Sequence, residues 1–170
     1  GAIMSDLGPN SRILEIGLGS NDVSIASNMG INGKPGASLR AFKEYSPSLT
    51  VYGADIDKSI EVEGCDVFFI DQTDPQSFNS VIMNGEIEYD LIIDDGLHSP
   101  DANLNTLAFA LKHISNRGYI VIEDIPEYSL QIWFSLQYYF EKSGFSTTLF
   151  KSKAAYIFVA TPKPSVFGLH

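Results

Sequence analysis

The stretch LIIDDGLHSP, Leu91 to Pro100, runs an apolar segment into two adjacent carboxylates, a glycine and a histidine. A second such end is VIEDIP, where Val121 and Ile122 lead into Glu123 and Asp124. Acids at the ends of apolar runs have two chemistries open to them. They can accept hydrogen bonds from the backbone that follows, as helix caps do. If they converge, they repel one another unless a cation offsets the charge, and a hard divalent cation does so through oxygen ligands. An imidazole three residues beyond Asp95 adds a group that can take a proton from a hydroxyl. The plainer reading makes Asp94 and Asp95 caps and His98 a loop residue, and it gives Glu123 and Asp124 nothing to do.

Three further ends point to a nucleoside. LEIGLGS places Glu15 before a turn containing Gly17 and Gly19. The G-x-G opens like a dinucleotide fingerprint, but the third glycine position is Asp22. A pyrophosphate needs a positive helix end, and Asp22 and Glu15 repel it. That weakens an NAD-binding oxidoreductase. S-adenosylmethionine reverses the argument, since it carries a sulfonium and an ammonium group and no phosphate. Glu15 then attracts the ammonium, directly or through water, and the two glycines let the backbone approach the methionine and ribose parts. YGADID offers Asp55, with Asp57 second, to the ribose hydroxyls, and FFIDQTD offers Asp71 or Gln72 to the adenine edge. Each acid alone reads as a solvated strand end; acids at three successive ends argue for one site.

These ends need strands to carry them. Arg12–Gly17, Leu49–Ile56, Val67–Asp71, Tyr89–Asp95 and Gly118–Asp124 are mostly continuous apolar runs, as strands covered on both faces require. Helices are expected over Ser38–Tyr45, over Pro75–Met83 with Asp74 as N-cap, over Pro100–Ile114 with Ser99 as N-cap, and over Ser129–Ser143 before Gly144. STTLF and AAYIFVATP, separated by KSK, read as a hairpin. Strands alternating with helices imply a parallel sheet with right-handed crossovers, to which the hairpin adds an antiparallel strand. Leu18–Ala37 is long and polar for a strand-to-helix connection, which suits a lid that orders on ligand binding.

At 170 residues the chain suits one domain, read here as spanning 1–170. A net charge of -10 argues against nucleic acid as partner and favours a small or cationic ligand. No apolar run reaches membrane-spanning length. Cys65 is the single cysteine, so no intrachain disulfide forms, which fits a cytoplasmic location, and GAIMSDLGPN has no signal-peptide pattern. WFSLQYYF, Trp133–Phe140, is apolar around much of its helix, which fits the core or the interface of a homo-oligomer. Tyr128, just past EDIPE, is better placed to meet a substrate. His113 suits a helix C-terminus, and His170 is terminal.

ILEIGLG, YGADID and DQTD, with NGKPGASLRAFKEYSPSLTVYGADID, resemble the ordered motifs of class I S-adenosylmethionine-dependent methyltransferases. Within that class the pattern is similar to the macrocin and mycinamicin type of sugar O-methyltransferase, from Arg12 to Asp124. The resemblance implies an α/β Rossmann-like fold: a mostly parallel seven-stranded sheet ending in an antiparallel hairpin, with helices on both faces. It implies that Asp95 meets Glu123 and Asp124 at one sheet edge, beside the donor methyl group. These three would bind Mg²⁺ or another divalent cation, and His98 of the D-G-x-H motif would be the general base. Asp94 would face the cofactor or cap the next helix. The implied reaction is methyl transfer to a hydroxyl of a small, hydroxylated or glycosylated acceptor. An amine acceptor, or a non-catalytic nucleoside-binding module, is the alternative. The family carries larger N-terminal regions, so the N-terminal helix or acceptor region is expected to be short or missing here.

Overall fold

The apolar runs become strands whose alternate residues enter two different cores. In β1 (Arg12–Ile16), Ile13 packs on one face of the sheet, while Leu14 and Ile16 pack on the other. In the computed structural model, which describes residues 2–82 and 88–164, seven strands form one sheet. The others are β2 (Thr50–Asp55), β3 (Asp66–Phe69), β4 (Tyr89–Asp94), β5 (Ile114–Ile125), β6 (Phe145–Lys151) and β7 (Tyr156–Pro162), and the spatial order is β3-β2-β1-β4-β5-β7-β6. β1 to β5 pair in parallel, and β7 inserts antiparallel between β5 and β6.

Helices cover both faces, because a sheet of apolar inner strands exposes two apolar surfaces. α1 (Ala2–Asp6) and α2 (Ala37–Tyr45) lie on the Ile13 side, where Ile3, Met4 and Leu39 meet Val51, Leu91 and Val121. α3 (Pro100–His113) and α4 (Leu130–Lys142) lie on the Leu14 side, where Leu107, Ala110, Trp133 and Phe140 meet Ile92, Ile120 and Phe158. No helix among the described residues is long and apolar enough to cross a membrane.

Several boundaries differ from those expected. The segment after Asp74 is a 3-10 helix over Pro75–Val81; Asp74 caps it by accepting from Gln76 N, and Met83 lies outside the described residues. Within it the Ser77 hydroxyl reaches back to the carbonyls of Asp71 and Asp74. Ser99 has the extended backbone of an N-cap, but its hydroxyl donates to Asp101 instead of accepting from the helix. β5 begins at Ile114, immediately after α3, and not at Gly118. Trp133 and Phe140 of the aromatic run are buried, whereas Phe134, Tyr138 and Tyr139 are exposed.

Candidate active site

Strand register brings the acids together. Ile16 pairs with Asp94, and Asp94 pairs with Ile122, so Asp95 and Glu123 are the next residues on adjacent strands. Side chains alternate along a strand. Glu15 therefore shares the Ile13 face with α2, whereas Asp94 shares the Ile92 face with α3. The turn after β1 is tied to both neighbours: Gly17 N donates to Ala54 O at 2.9 Å, and Asp95 N donates to Ile16 O at 2.8 Å. Gly17 is required at this crossing. Its φ is +93°, and a Cβ there would lie 2.3 Å from the Asp95 carbonyl oxygen.

Asp95, His98 and Asp124 each present a ligand atom within 4.8 Å of the others. His98 Nε2 is 4.0 Å from Asp95 Oδ1, and His98 Nδ1 is buried without a hydrogen-bond partner. His98 and Asp124 have φ of 56° and 48°, two of the four positive-φ non-glycine residues among the described ones. Such backbone strain gathers at functional sites. The carboxyl groups feel one another. Asp95 is pushed up to about 6, by burial first and then by Asp124 and Asp94. Glu123 is raised by burial, then by Asp95 and Asp124, with His98 opposing. Glu15 is pushed up to about 7, chiefly by burial, against a lowering hydrogen bond from Ser38 and with Asp95 and Glu123 adding to the rise. A divalent cation fits this donor set, because two carboxylate oxygens and an imidazole nitrogen lie within 4.8 Å of one another and a cation between them would offset the carboxylates' mutual repulsion. The expected ligands were Asp95, Glu123 and Asp124. The tight cluster holds Asp95, Asp124 and His98, with Glu123 beside it.

Two cavities adjoin the cluster and share Gly17, Gly19, Ser27 and Asp95 in their walls. One, of about 300 Å³, reaches Glu15, Ser38, His98 and Asp124. The other extends past Asp55, Asp71 and Leu97. Asp55 is buried and accepts from Leu18 N at 2.7 Å and from Asp57 N at 2.9 Å. Asp57 accepts from the hydroxyls of Ser20 and Ser59, which hold its carboxyl below the usual range. Asp71 accepts from the backbone and hydroxyl of Thr73. Gln72 and Asp94 turn inward and bond each other at 2.8 Å. Asp94 is fully buried and caps no helix end; its other donors are Asn103 Nδ2 and Gly96 N.

The Leu18–Ala37 segment is pinned at several points. Met29 N donates to Ser20 O, Gly36 N donates to Leu18 O, and Asn21 Nδ2 reaches the carbonyls of Gly30 and Gly33. Sequence reasoning passed over Ser27, Met29 and Ser38, which line the larger cavity. Only position could have marked them: Ser27 and Met29 on the connection after the glycine turn, and Ser38 in the first turn of α2.

No family model matches the chain. It is 32% identical over 114 residues to L-olivosyl-oleandolide 3-O-methyltransferase from Streptomyces antibioticus, an alignment covering 66% of this chain and 28% of that protein. It is similar to MycE methyltransferase from the mycinamycin biosynthetic pathway, solved in complex with Mg, SAH and mycinamycin VI. That match has a TM-score of 0.70 and 23% identity, covering 95% of this chain and 47% of the other. A ribosomal RNA methyltransferase from Plasmodium falciparum matches with a TM-score of 0.67 and 15% identity, covering 94% of this chain and 90% of that one. The chain therefore has the Rossmann-like fold of S-adenosylmethionine-dependent methyltransferases. It spans less than half the length of MycE and of the curated relative.

Proposed function

We propose that this chain transfers a methyl group from S-adenosylmethionine to a hydroxyl of a small, glycosylated acceptor, assisted by a divalent cation. The observation that carries the proposal is the meeting of three strand ends: the Glu15–Gly17 turn, Asp95 with His98, and the Glu123–Asp124 pair, with Glu15, Gly17, Asp95, His98 and Asp124 lining one cavity. The Streptomyces relative is named for 3-O-methylation, and MycE was solved with Mg and SAH, which supports the same reading. A net charge of -10 favours a small acceptor over RNA.

S-adenosylmethionine is the methyl-donor substrate. The Gly17–Gly19 turn lets the backbone approach it closely, Asp55 accepts from its ribose, and Asp71 lies toward its adenine. Glu15, whose Oε2 is buried without a partner, attracts its positive end. Asp95, Glu123 and Asp124 would hold Mg²⁺ or another divalent cation. When bound, that cation lowers the pKa of an acceptor hydroxyl. His98 takes the hydroxyl proton, the oxygen attacks the sulfonium methyl in line, and S-adenosylhomocysteine leaves.

Calorimetric titration with S-adenosylhomocysteine, NAD and Mn²⁺ tests both halves of the site. Saturable binding of S-adenosylhomocysteine and Mn²⁺ is expected. NAD binding without S-adenosylhomocysteine binding would overturn the donor assignment. Transfer of a labelled methyl group to a panel of hydroxylated glycosides and amines then tests the acceptor class.

A further inference from the structure

Gln72 lies just past β3, lines the Asp55 cavity, and is only 7% exposed. Its side-chain amide is already committed. Nε2 donates to Asp94 Oδ1 at 2.8 Å and to Thr106 Oγ1 at 3.0 Å, and Oε1 accepts from Leu97 N at 2.8 Å. Both amide hydrogens are thus engaged inside the protein. Its main-chain carbonyl is held as well, by Asn105 Nδ2 of α3 at 2.8 Å.

The groups it holds lie on the approach to Asp95 and His98. Three successive N–H groups there are bonded: Asp95 N to Ile16 O, Gly96 N to Asp94 Oδ1 at 3.2 Å, and Leu97 N to Gln72 Oε1. Two of those three acceptors depend on Gln72, one directly and one through the Asp94 carboxyl it orients. His98 follows immediately with a left-handed backbone, a conformation that persists only when its surroundings impose it. Gly96 packs against the same amide, and a Cβ there would lie 2.1 Å from Gln72 Oε1. Thr106 and Asp94 are fully buried, so water cannot easily replace the lost bonds.

We propose that Gln72 is a positioning residue: by bridging Asp94 and Leu97 it fixes the loop that presents Asp95 and His98 to Asp124. With both amide hydrogens engaged by Asp94 and Thr106, its side chain has no donor left to offer an adenine. The proposal rests on the reading of Asp95 as a ligand of the divalent cation. Groups that orient metal ligands from behind commonly govern affinity as strongly as this role requires.

The test uses Gln72→Leu, which keeps side-chain bulk and removes the hydrogen bonds, and Gly96→Ala, which pushes Gln72 away from the opposite side. Gly96→Ala keeps the test open should Gln72→Leu fail to fold. Mn²⁺ affinity and S-adenosylhomocysteine affinity are measured by calorimetry, and exchange of the Leu97 amide by NMR. Mn²⁺ affinity is expected to fall about 10–100-fold, Leu97 exchange to accelerate, and S-adenosylhomocysteine affinity to be retained. Loss of S-adenosylhomocysteine affinity with Mn²⁺ binding intact would overturn the proposal in favour of an adenine contact. Parallel weakening of both ligands, in step with a lower melting temperature, would overturn it in favour of a purely structural role. If the wild-type protein binds no Mn²⁺, the cation reading fails separately. The positioning role then stands if exchange accelerates only across residues 95–98, and falls if it does not.

Discussion

Glu15 Oε1 accepts a 2.6 Å hydrogen bond from the Ser38 hydroxyl, while Glu15 Oε2 is buried with no partner. Burial of this carboxyl, with Asp95 and Glu123 nearby, makes it keep its proton to a higher pH than an ordinary glutamate does. Glu15 moves from 4.5 up to about 7, and Asp95 from 3.8 up to about 6. The folded state therefore binds more protons than the unfolded chain across that window. These groups stabilise the fold fully below their unfolded values, and the stabilisation is lost as pH rises through about 6 and 7. The metal-free protein should melt at a higher temperature near pH 5 than near pH 7.5, with Mg²⁺ recovering more at the higher pH. Scanning calorimetry with and without Mg²⁺ at both pH values checks this. A melting temperature that rises with pH across the window would contradict it.

Gly17→Ala should disturb both halves of the site at once. The new methyl group would meet the Asp95 carbonyl and the Gly96 Cα at 2.3 and 2.4 Å, and the φ of +93° already disfavours any side chain. Strain of about 1–3 kcal/mol is the expected cost. Denaturant midpoints should show it, and S-adenosylhomocysteine and Mn²⁺ binding should both weaken. Gly30→Ala has open space around its Cβ, although its φ is also positive, and should leave ligand binding unchanged.

Asp55→Ala removes the acceptor for two backbone N–H groups, Leu18 N and Asp57 N. Leaving buried donors unpaired costs about 1–3 kcal/mol. The variant should therefore lose folding stability as well as affinity for S-adenosylhomocysteine. Chemical denaturation and calorimetry on the same preparation separate the two effects. A pure loss of affinity with unchanged stability would show that the backbone does not depend on Asp55.

The strands were legible because their apolar runs are continuous, and each acid ends its run where the residue types change. Alternation along β1 and β4 also fixes which face Glu15 and Asp94 take, once the strands are paired. The bond between Gln72 and Asp94 spans 22 residues, and no local pattern in DQTD or LIIDDGLH announces it. Ser38 was read only as a helix start, because its partner Glu15 lies 23 residues earlier. The Pro75–Val81 segment was read as a regular helix because a cap and a proline look the same ahead of either kind of turn. The tighter winding is accompanied by local bonds from the Ser77 hydroxyl back to the carbonyls of Asp71 and Asp74, which the cap and proline alone do not announce.

His98 and Asp95 should separate when each is changed to asparagine. His98 has a φ of 56°, a conformation asparagine adopts more readily than alanine, so His98→Asn removes the imidazole with little added strain. Asp95→Asn keeps the side-chain shape and removes the charge that Asp124 and Asp94 oppose. If His98 is the base, its variant should retain Mn²⁺ and S-adenosylhomocysteine binding while methyl transfer slows by about 10²–10⁴-fold. Asp95→Asn should weaken Mn²⁺ binding, with excess Mg²⁺ restoring part of the rate. The close grouping of His98 with Asp95 and Asp124 makes the opposite result easy to recognise. Were His98 a metal ligand, its variant would lose Mn²⁺ affinity as Asp95→Asn does, and excess metal would rescue both. Calorimetric Mn²⁺ titration of the two variants, followed by single-turnover methyl transfer at saturating metal, distinguishes a proton acceptor from a ligand.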